Sequence, residues 1–505
     1  MKKSVLKLTL GIAVFAATSA ITQAQTAATV PAASSAPAAT APAAPPPAFD
    51  QWTKEMKKPV DWFSWGADVR LRNEYLDNAL TLSEKGARHE QDYFRFRERI
   101  WASLMPVTNL SANVRFAAEQ REWMKPSNAS QYGPRTGFEE RYGILDNANV
   151  KWNNIMDQPL SLTAGRQDIA LGDADDWWLV LDGTPGDGSW TFFLDSIRAS
   201  YEAKEIKTKM DVIYIYQNAR PDQWIPTIGE SSDNYAPGGA HKPYYLTEQD
   251  EQGVILYLSN KSVENVQLDG YFIYKRDTKE MVNGDSADIY TLGSKITGTP
   301  AEHWSYSVEG AYQFGHKQDA MVGAAYVNST KDWREINAYA GKLRINYLFK
   351  DHMQNQVSLI GEFLSGDDPN TKGKDEMFDV LWGRWPRWTE LGTWCYATET
   401  AGKYLQMNNI GRVGPNWNIT PLKGLNFNLM YNALFAPESI PTRTLAATQF
   451  NNKGNFRGHY VQGILKYQWN KYVSTQIKGE LLCEGDYYAH RDLMSFLRTE
   501  LNLTF

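Results

Sequence analysis

From about Ser64 to its last residue the chain is built of stretches of roughly ten residues in which every second side chain is apolar. Leu425, Phe427, Leu429, Tyr431, Ala433 and Phe435 alternate with Asn426, Asn428, Met430 and Asn432. Leu110, Ala112, Val114, Phe116 and Ala118 alternate with Ser111, Asn113, Arg115 and Glu119, and Leu343, Ile345, Tyr347 and Phe349 with Lys342, Arg344 and Asn346. A strand sends successive side chains to opposite faces, so each stretch has one apolar and one polar face. Long amphipathic helical periods are absent, which excludes a helical domain of any size.

About eighteen such stretches are counted, and an even count is what a bacterial barrel closes with. Connections alternate in length. Short ones such as Pro106 to Asn109, Lys204-Glu205 and Asn470 to Tyr472 trade places with long ones such as 172–191, 219–250 and 367–400. A soluble sandwich has no reason to sort its loops by side, and a propeller or solenoid would show a sequence repeat, which is missing. The expected fold is all-β: a transmembrane antiparallel barrel of about 18 strands with short periplasmic turns and long extracellular loops. The last stretch places Leu497, Thr499, Leu501, Leu503 and Phe505 on one face. A terminal aromatic on an alternating strand resembles the signal read by outer-membrane assembly machinery.

Composition agrees. The mean hydropathy is −0.50, a polar average that alternation produces even when one face meets lipid. Eighteen Trp and 27 Tyr are too many aromatics for a disordered chain. A net charge of −6 argues against a nucleic-acid binder, which needs a basic face for phosphates. Two Cys exclude a disulfide scaffold and any Cys-rich metal site. Lys2 and Lys3, the apolar run Val5 to Ala20 and Thr22-Gln23-Ala24 predict a signal peptide over 1–24. Residues 25–61 read as an Ala/Pro-rich periplasmic linker, and 62–505 as the barrel. The localisation expected is the outer membrane of a Gram-negative bacterium.

If the apolar set faces lipid, the other parity faces the lumen. That turns Arg70, Arg72, Arg95, Arg97, Arg99, Arg115, Arg166, Arg198, Arg344, Arg412 and Arg498 inward, with Asp168 among the acids. About fifteen bases then face about ten acids, although the whole chain is negative. Guanidinium forks bind carboxylates bidentately and stay charged, so rings of them favour anions. The alternative is that these arginines pair with lumenal acids across strands and fill the barrel. In the external segment 172–191, Asp173, Asp175, Asp176, Asp182 and Asp187 would repel an arriving anion. That favours export, or else a divalent ion bridging loops. Asp368 to Gly373 has loose calcium-loop spacing with Lys372 at a ligand position, so calcium there is a weak expectation and no cofactor is otherwise expected.

No catalytic pattern stands out. His-Glu-x-x-His, Gly-x-Ser-x-Gly, a phosphate-cradling Gly-Lys-Ser/Thr and Cys-x-x-Cys are all absent. Gly284-Asp285-Ser286 reads as part of a hairpin turn with Asn283. Trp177-Trp178, Trp382, Trp385, Trp388 and Trp394 offer indole faces for sugars, but interfacial girdles demand the same residues. An outer-membrane barrel enzyme would need Ser/His or Asp/His groups converging at the mouth, and none is found.

Arg70-Leu71-Arg72-Asn73-Glu74-Tyr75, Gly165-Arg166-Gln167-Asp168-Ile169-Ala170-Leu171-Gly172-Asp173, Phe192 to Tyr201 and Gly366-Asp367-Asp368-Pro369-Asn370 together resemble the alginate-export porin family. The resemblance runs over roughly 62–505 and is most specific at the Gly-Arg-Gln-Asp strand, where Arg166 matches the family's arginine. It implies a monomeric barrel of about eighteen strands with an arginine-rich, anion-selective pore. The expected function is passive passage of an anionic, alginate-like polysaccharide or its oligomers, outward, with outer-membrane lipid and periplasmic export components as partners and no nucleic acid. A general or small-solute anion-preferring porin is the alternative.

Overall fold

The computed structural model describes residues 48–86, 89–125, 137–139, 143–171, 193–228, 245–318, 332–383, 387–399, 407–439, 449–451 and 453–505. The chain divides into two units, Met1–Gln51 and Trp52–Phe505, and the second carries the sheet.

The alternating stretches are strands: β1 (Phe63–Asp77), β2 (Glu90–Val107), β3 (Leu110–Lys125), β4 (Gly137–Glu139), β5 (Ile144–Trp152), β6 (Leu160–Gln167), β7 (Leu194–Ala203), β8 (Thr208–Gln217), β9 (Gln249–Asn260) and β10 (Val266–Lys279). They continue as β11 (Ser286–Ala301), β12 (Trp304–Gln318), β13 (Arg334–Leu348), β14 (Gln356–Leu364), β15 (Lys374–Asp375), β16 (Ile410–Leu422), β17 (Leu425–Phe435), β18 (Phe456–Gln468), β19 (Val473–Glu484) and β20 (Leu493–Thr504). Among the described residues two α-helices accompany them, α1 (Ala48–Lys57) and α2 (Leu391–Glu399). α1 falls within 25–61, the stretch assigned to the linker from sequence, because the Ala/Pro composition gives out before Trp52 and Met56 take up helical spacing.

β4 and β15 are short additions to β3 and β13, and the remaining strands form an 18-stranded antiparallel wall. It closes where β1 pairs with β20, Asp68 opposite Thr504 through Asp77 opposite Ser495. Closure leaves no strand edge facing lipid, which a wall spanning hydrocarbon requires. At one end the hairpins are tight, as at Val107 and Leu110 or Leu422 and Leu425. Asn109 (φ 70°) and Gly424 (φ 83°) supply the left-handed backbone these two turns need. Among the described residues no helix is long and apolar enough to cross a membrane; the strands do the crossing.

Burial follows the parity of the sequence. On β1, Asp68, Arg70, Arg72, Glu74 and Leu76 are buried, while Ala67, Val69, Leu71 and Asn73 between them are not. The outward set includes Leu256, Leu292, Val308, Leu359, Val413 and Leu429, all exposed. A contiguous apolar belt of this size belongs in hydrocarbon. The polar residues are the enclosed ones, the reverse of a soluble protein.

Candidate functional site: the barrel lumen

β20, β1, β2 and β3 are neighbours across the closure, and their inward positions concentrate charge. Eight arginines, namely 498, 70, 72, 95, 97, 99, 115 and 121, share this wall with four acids, Asp68, Glu74, Glu119 and Glu500. Register decides who meets whom. Arg70 stands opposite Arg97, Arg72 opposite Arg95, and Arg95 opposite Arg121. Directly opposed side chains on a sheet sit about 5 Å apart, so like charges are placed together and the acids must serve several partners each. Glu74 does: Arg95 reaches it at 2.7 Å and Arg498 at 2.6 Å. Asp68 takes Arg99 at 2.5 Å and Arg97 at 3.3 Å. Arg72 pairs with Glu500 at 2.6 Å, and Glu119 lies 3.4 Å from both Arg95 and Arg121. On these four strands guanidiniums outnumber carboxylates two to one, and acids from neighbouring elements, Asp146 and Asp168 at Arg115 and Glu390 at Arg498, offset part of that excess.

Toward the short-turn end, beside β2, β3 and β5–β8, lies a cavity of about 710 Å³ lined by Arg99, Arg115, Asp168 and Arg198. Lys151 and Lys209 add charge, and Asn113, Asn147, Asn149, Thr163 and Ser200 add hydroxyls and amides. Arg115 bridges Asp146 at 2.7 Å and Asp168 at 2.9 Å, and Arg198 holds Asp211 at 2.9 Å. The Asn113 amide donates to Asn149 at 3.1 Å, and the Asn149 amide to Asn147 at 2.7 Å. The floor is thus an amide ladder between cationic rims.

The other sequence-predicted residues are placed differently. Arg166 is buried and holds the wall together. It makes two bonds to Asp195 (2.9 and 3.1 Å), one each to the carbonyls of Leu145 (3.0 Å) and Pro221 (3.1 Å), and its guanidinium lies 3.9 Å from the centre of the Phe193 ring. Gly165 before it takes φ 117°, where a Cβ would fall 2.4 Å from the Ala148 carbonyl oxygen, so only glycine lets β5 and β6 close up there. Arg344 faces Ser307 and Ile360 on β12 and β14, away from the cluster. Arg412 is bonded to Glu362 and covers the Trp388 ring at 4.5 Å. Asp173, Asp175, Asp176, Asp182 and Asp187 lie outside the described residues, as do Trp177, Trp178 and Trp385.

The feature missed from sequence is the connection 365–409 between β14 and β16. Its central part, 367–400, reads as an external loop, yet its described residues 377–383 and 387–399 fold into the barrel. At one wall, the Asp379 amide donates to the Gln313 side chain (2.8 Å) and the Gln313 amide returns a bond to the Asp379 carbonyl (2.7 Å). Trp382 lies 5.7 Å under the Lys275 ammonium. Gln313 on β12 and Lys275 on β10 point inward and are fully buried. At the far wall, the Trp388 carbonyl accepts from Gln462 (2.6 Å) and from the Tyr460 hydroxyl (3.3 Å). The Glu480 carboxylate accepts from the backbone of Glu390 (3.1 Å) and Leu391 (2.8 Å) and the hydroxyl of Thr389 (3.1 Å). A carboxylate at that position caps the start of α2 and complements its dipole. Arg498 reaches Glu390 at 3.1 Å, and Arg457 grips Glu399 at the end of α2 with bonds of 2.8 and 3.0 Å. The loop therefore crosses the lumen from β10–β12 to β18–β20. Trp382, Trp388 and Trp394 are buried in it and form no part of an interfacial girdle.

Comparison with known proteins places this geometry. Residues 239–496 match a family model described as alginate export. None of the curated proteins matches the sequence. Among solved structures, OccAB1 of Acinetobacter baumannii is similar with a TM-score of 0.53 at 12% identity, covering 87% of this chain and 96% of that one. OccAB2 of the same organism gives 0.51 at 11% identity, covering 87% and 98%. At these identities the likeness is one of architecture.

Proposed function

This chain belongs to the alginate export family, and we propose that its lumen conducts an anionic polysaccharide or its oligomers outward by passive diffusion. The protein is an outer-membrane channel of a Gram-negative bacterium. The observation that carries the cargo reading is the two-to-one excess of arginine over carboxylate on β20–β3, opening into a cavity edged by Arg99, Arg115 and Arg198. At the cavity Arg99, Arg115 and Arg198 each already hold an acid, so a passing uronate competes for a partly satisfied fork and is held weakly. Such sites attract a polyanion without trapping it. The hydroxyls and amides of the cavity suit the neutral part of a sugar. Energy comes from synthesis, a gradient or a periplasmic partner, since no nucleotide-binding pattern occurs in the sequence.

The inward loop favours a second reading, a porin for small anionic solutes, because a polymer needs that loop displaced. The two are separated by current through purified protein in planar bilayers. Polymer passage predicts that oligouronates interrupt the current for longer as chain length grows, that neutral glucans do not, and that Arg99→Gln with Arg115→Gln and Arg198→Gln shortens the interruptions. Interruption by monomeric uronate alone would support the small-solute porin and sink the polymer reading.

A further inference from the structure

At the short-turn end the chain does not enter the wall directly. From Trp52 onward it runs along the outside of the barrel before β1 begins. The Trp52 ring meets the terminal Phe505 ring at 6.2 Å, and Trp65 meets it from the other side at 5.3 Å. The Trp65 indole N–H donates to the Met56 carbonyl at 2.7 Å, and Thr53 is hydrogen-bonded to the Tyr472 hydroxyl. The Lys57 ammonium lies over both Phe505 (5.4 Å) and Tyr472 (5.8 Å). Trp65 and Phe505 have the outward parity of β1 and β20, so what covers them is on the lipid side of the wall.

This clasp leaves a second surface uncovered. Trp52 is 48% exposed, Met56 42%, Val60 41% and Trp62 56%. Four large apolar residues within eleven positions would be an aggregation hazard in water. Here they continue a ring of outward aromatics at the same end of the barrel, among them Trp304 packed on Tyr347 at 4.9 Å and Trp469 on Tyr467 at 4.6 Å. Rings at that level mark the headgroup zone. Lys54, Lys57 and Lys58 stand among the apolar residues, with Glu55 and Asp61 as the acids and Asp61 paired to Lys58 at 3.2 Å. The segment is thus a short amphipathic strip with net positive charge, lying where hydrocarbon gives way to phosphate.

We propose that Trp52–Trp62 is an interfacial foot that binds the periplasmic phospholipid leaflet, with Trp52, Met56, Val60 and Trp62 entering the acyl boundary and Lys54 and Lys57 meeting anionic headgroups. Continuity with the lipid-facing belt argues for lipid over a protein partner, and the lysines argue for phosphate-bearing headgroups. The foot clasps the closure of the barrel, since Phe505, Trp65 and Tyr472 lie on or beside β20 and β1.

The test uses the full chain with Cys483→Ser, leaving the buried Cys395, and a bimane fluorophore at Met56→Cys or, as a second position, Val60→Cys. Glu264→Cys in the exposed turn between β9 and β10 is the aqueous control. In vesicles of phosphatidylcholine with phosphatidylglycerol, shallow nitroxide-labelled lipid should quench positions 56 and 60 at least about threefold more than position 264, and iodide should do the reverse. Replacing phosphatidylglycerol by phosphatidylcholine should reduce the lipid quenching. Equal behaviour of all three positions overturns the foot. Quenching indifferent to headgroup charge overturns the role of the lysines. Protection that vanishes as protein is diluted in lipid identifies a second copy as the occupant and overturns the lipid assignment.

Discussion

Glu480→Ala should unlatch the inward loop. The Glu480 side chain is buried on β19 and accepts hydrogen bonds from three loop groups, the Thr389 hydroxyl and the amides of Glu390 and Leu391, at 2.8–3.1 Å. It also holds Gln462 at 3.1 Å and Lys478 at 3.0 Å. A hydrogen bond to a buried charge contributes about 1.5–3 kcal/mol. Three of them share one acceptor and do not add fully, so the loss in loop docking is about 4 kcal/mol. That is roughly a thousandfold in the ratio of docked to released loop. Gln313 and Arg457 keep their own grips on the loop, so release begins at the β19 end. Single-channel recording is the assay. The native channel should rest at a low conductance, and Glu480→Ala should visit a larger level often. Glu480→Gln keeps an acceptor but loses the charge and should fall between, at about 1–2 kcal/mol. A Glu480→Ala barrel that folds and shows native conductance and native open times would refute the idea that the loop occludes the pore.

Gln313→Ala removes two neutral bonds to Asp379 on the opposite wall and should weaken docking by about 2 kcal/mol, read as a smaller rise in large-level openings that adds to Glu480→Ala. Arg166→Ala strips four bonds from the β5–β7 region; leaving Asp195 without its partner should destabilise the fold by about 3 kcal/mol or more, seen as earlier loss of the heat-modifiable band, with ion selectivity nearly unchanged. Asp351 in the turn between β13 and β14 has its carboxyl held below the usual range by the amide and side chain of Asn355. A lowered folded value means that its contribution is present above the usual carboxylate range and lost as pH falls from there through the lowered value, so amide exchange at Asn355, corrected for intrinsic rate, should quicken in acid and Asp351→Asn should abolish that change.

Period-two patterning made the wall legible because each strand declares its two faces locally, and lipid demands the pattern on every strand. The same parity put Arg70, Arg72, Arg95, Arg97 and Arg498 on the inner face. It could not name their partners: Arg498 meets Glu74 from the other end of the chain, and that pairing exists only once β1 and β20 close. Nor could parity separate Arg166, whose bonds make it a staple of the wall, from Arg115 at the cavity rim. The loop between β14 and β16 was illegible for a related reason. Asp379, Glu390 and Glu399 lie in a stretch that reads as an external loop, and their burial depends on Lys275, Arg498 and Arg457 on distant strands.

The central claim is that the arginine-rich wall of β20–β3, with the cationic rim of its cavity, sets the sign of what passes. Reversal potential of the purified channel across a planar bilayer under a salt gradient measures that sign directly. The account predicts anion selectivity that weakens when Arg99, Arg115 and Arg198 are replaced together by glutamine. A cation-selective native channel, or selectivity indifferent to those three replacements, would contradict it.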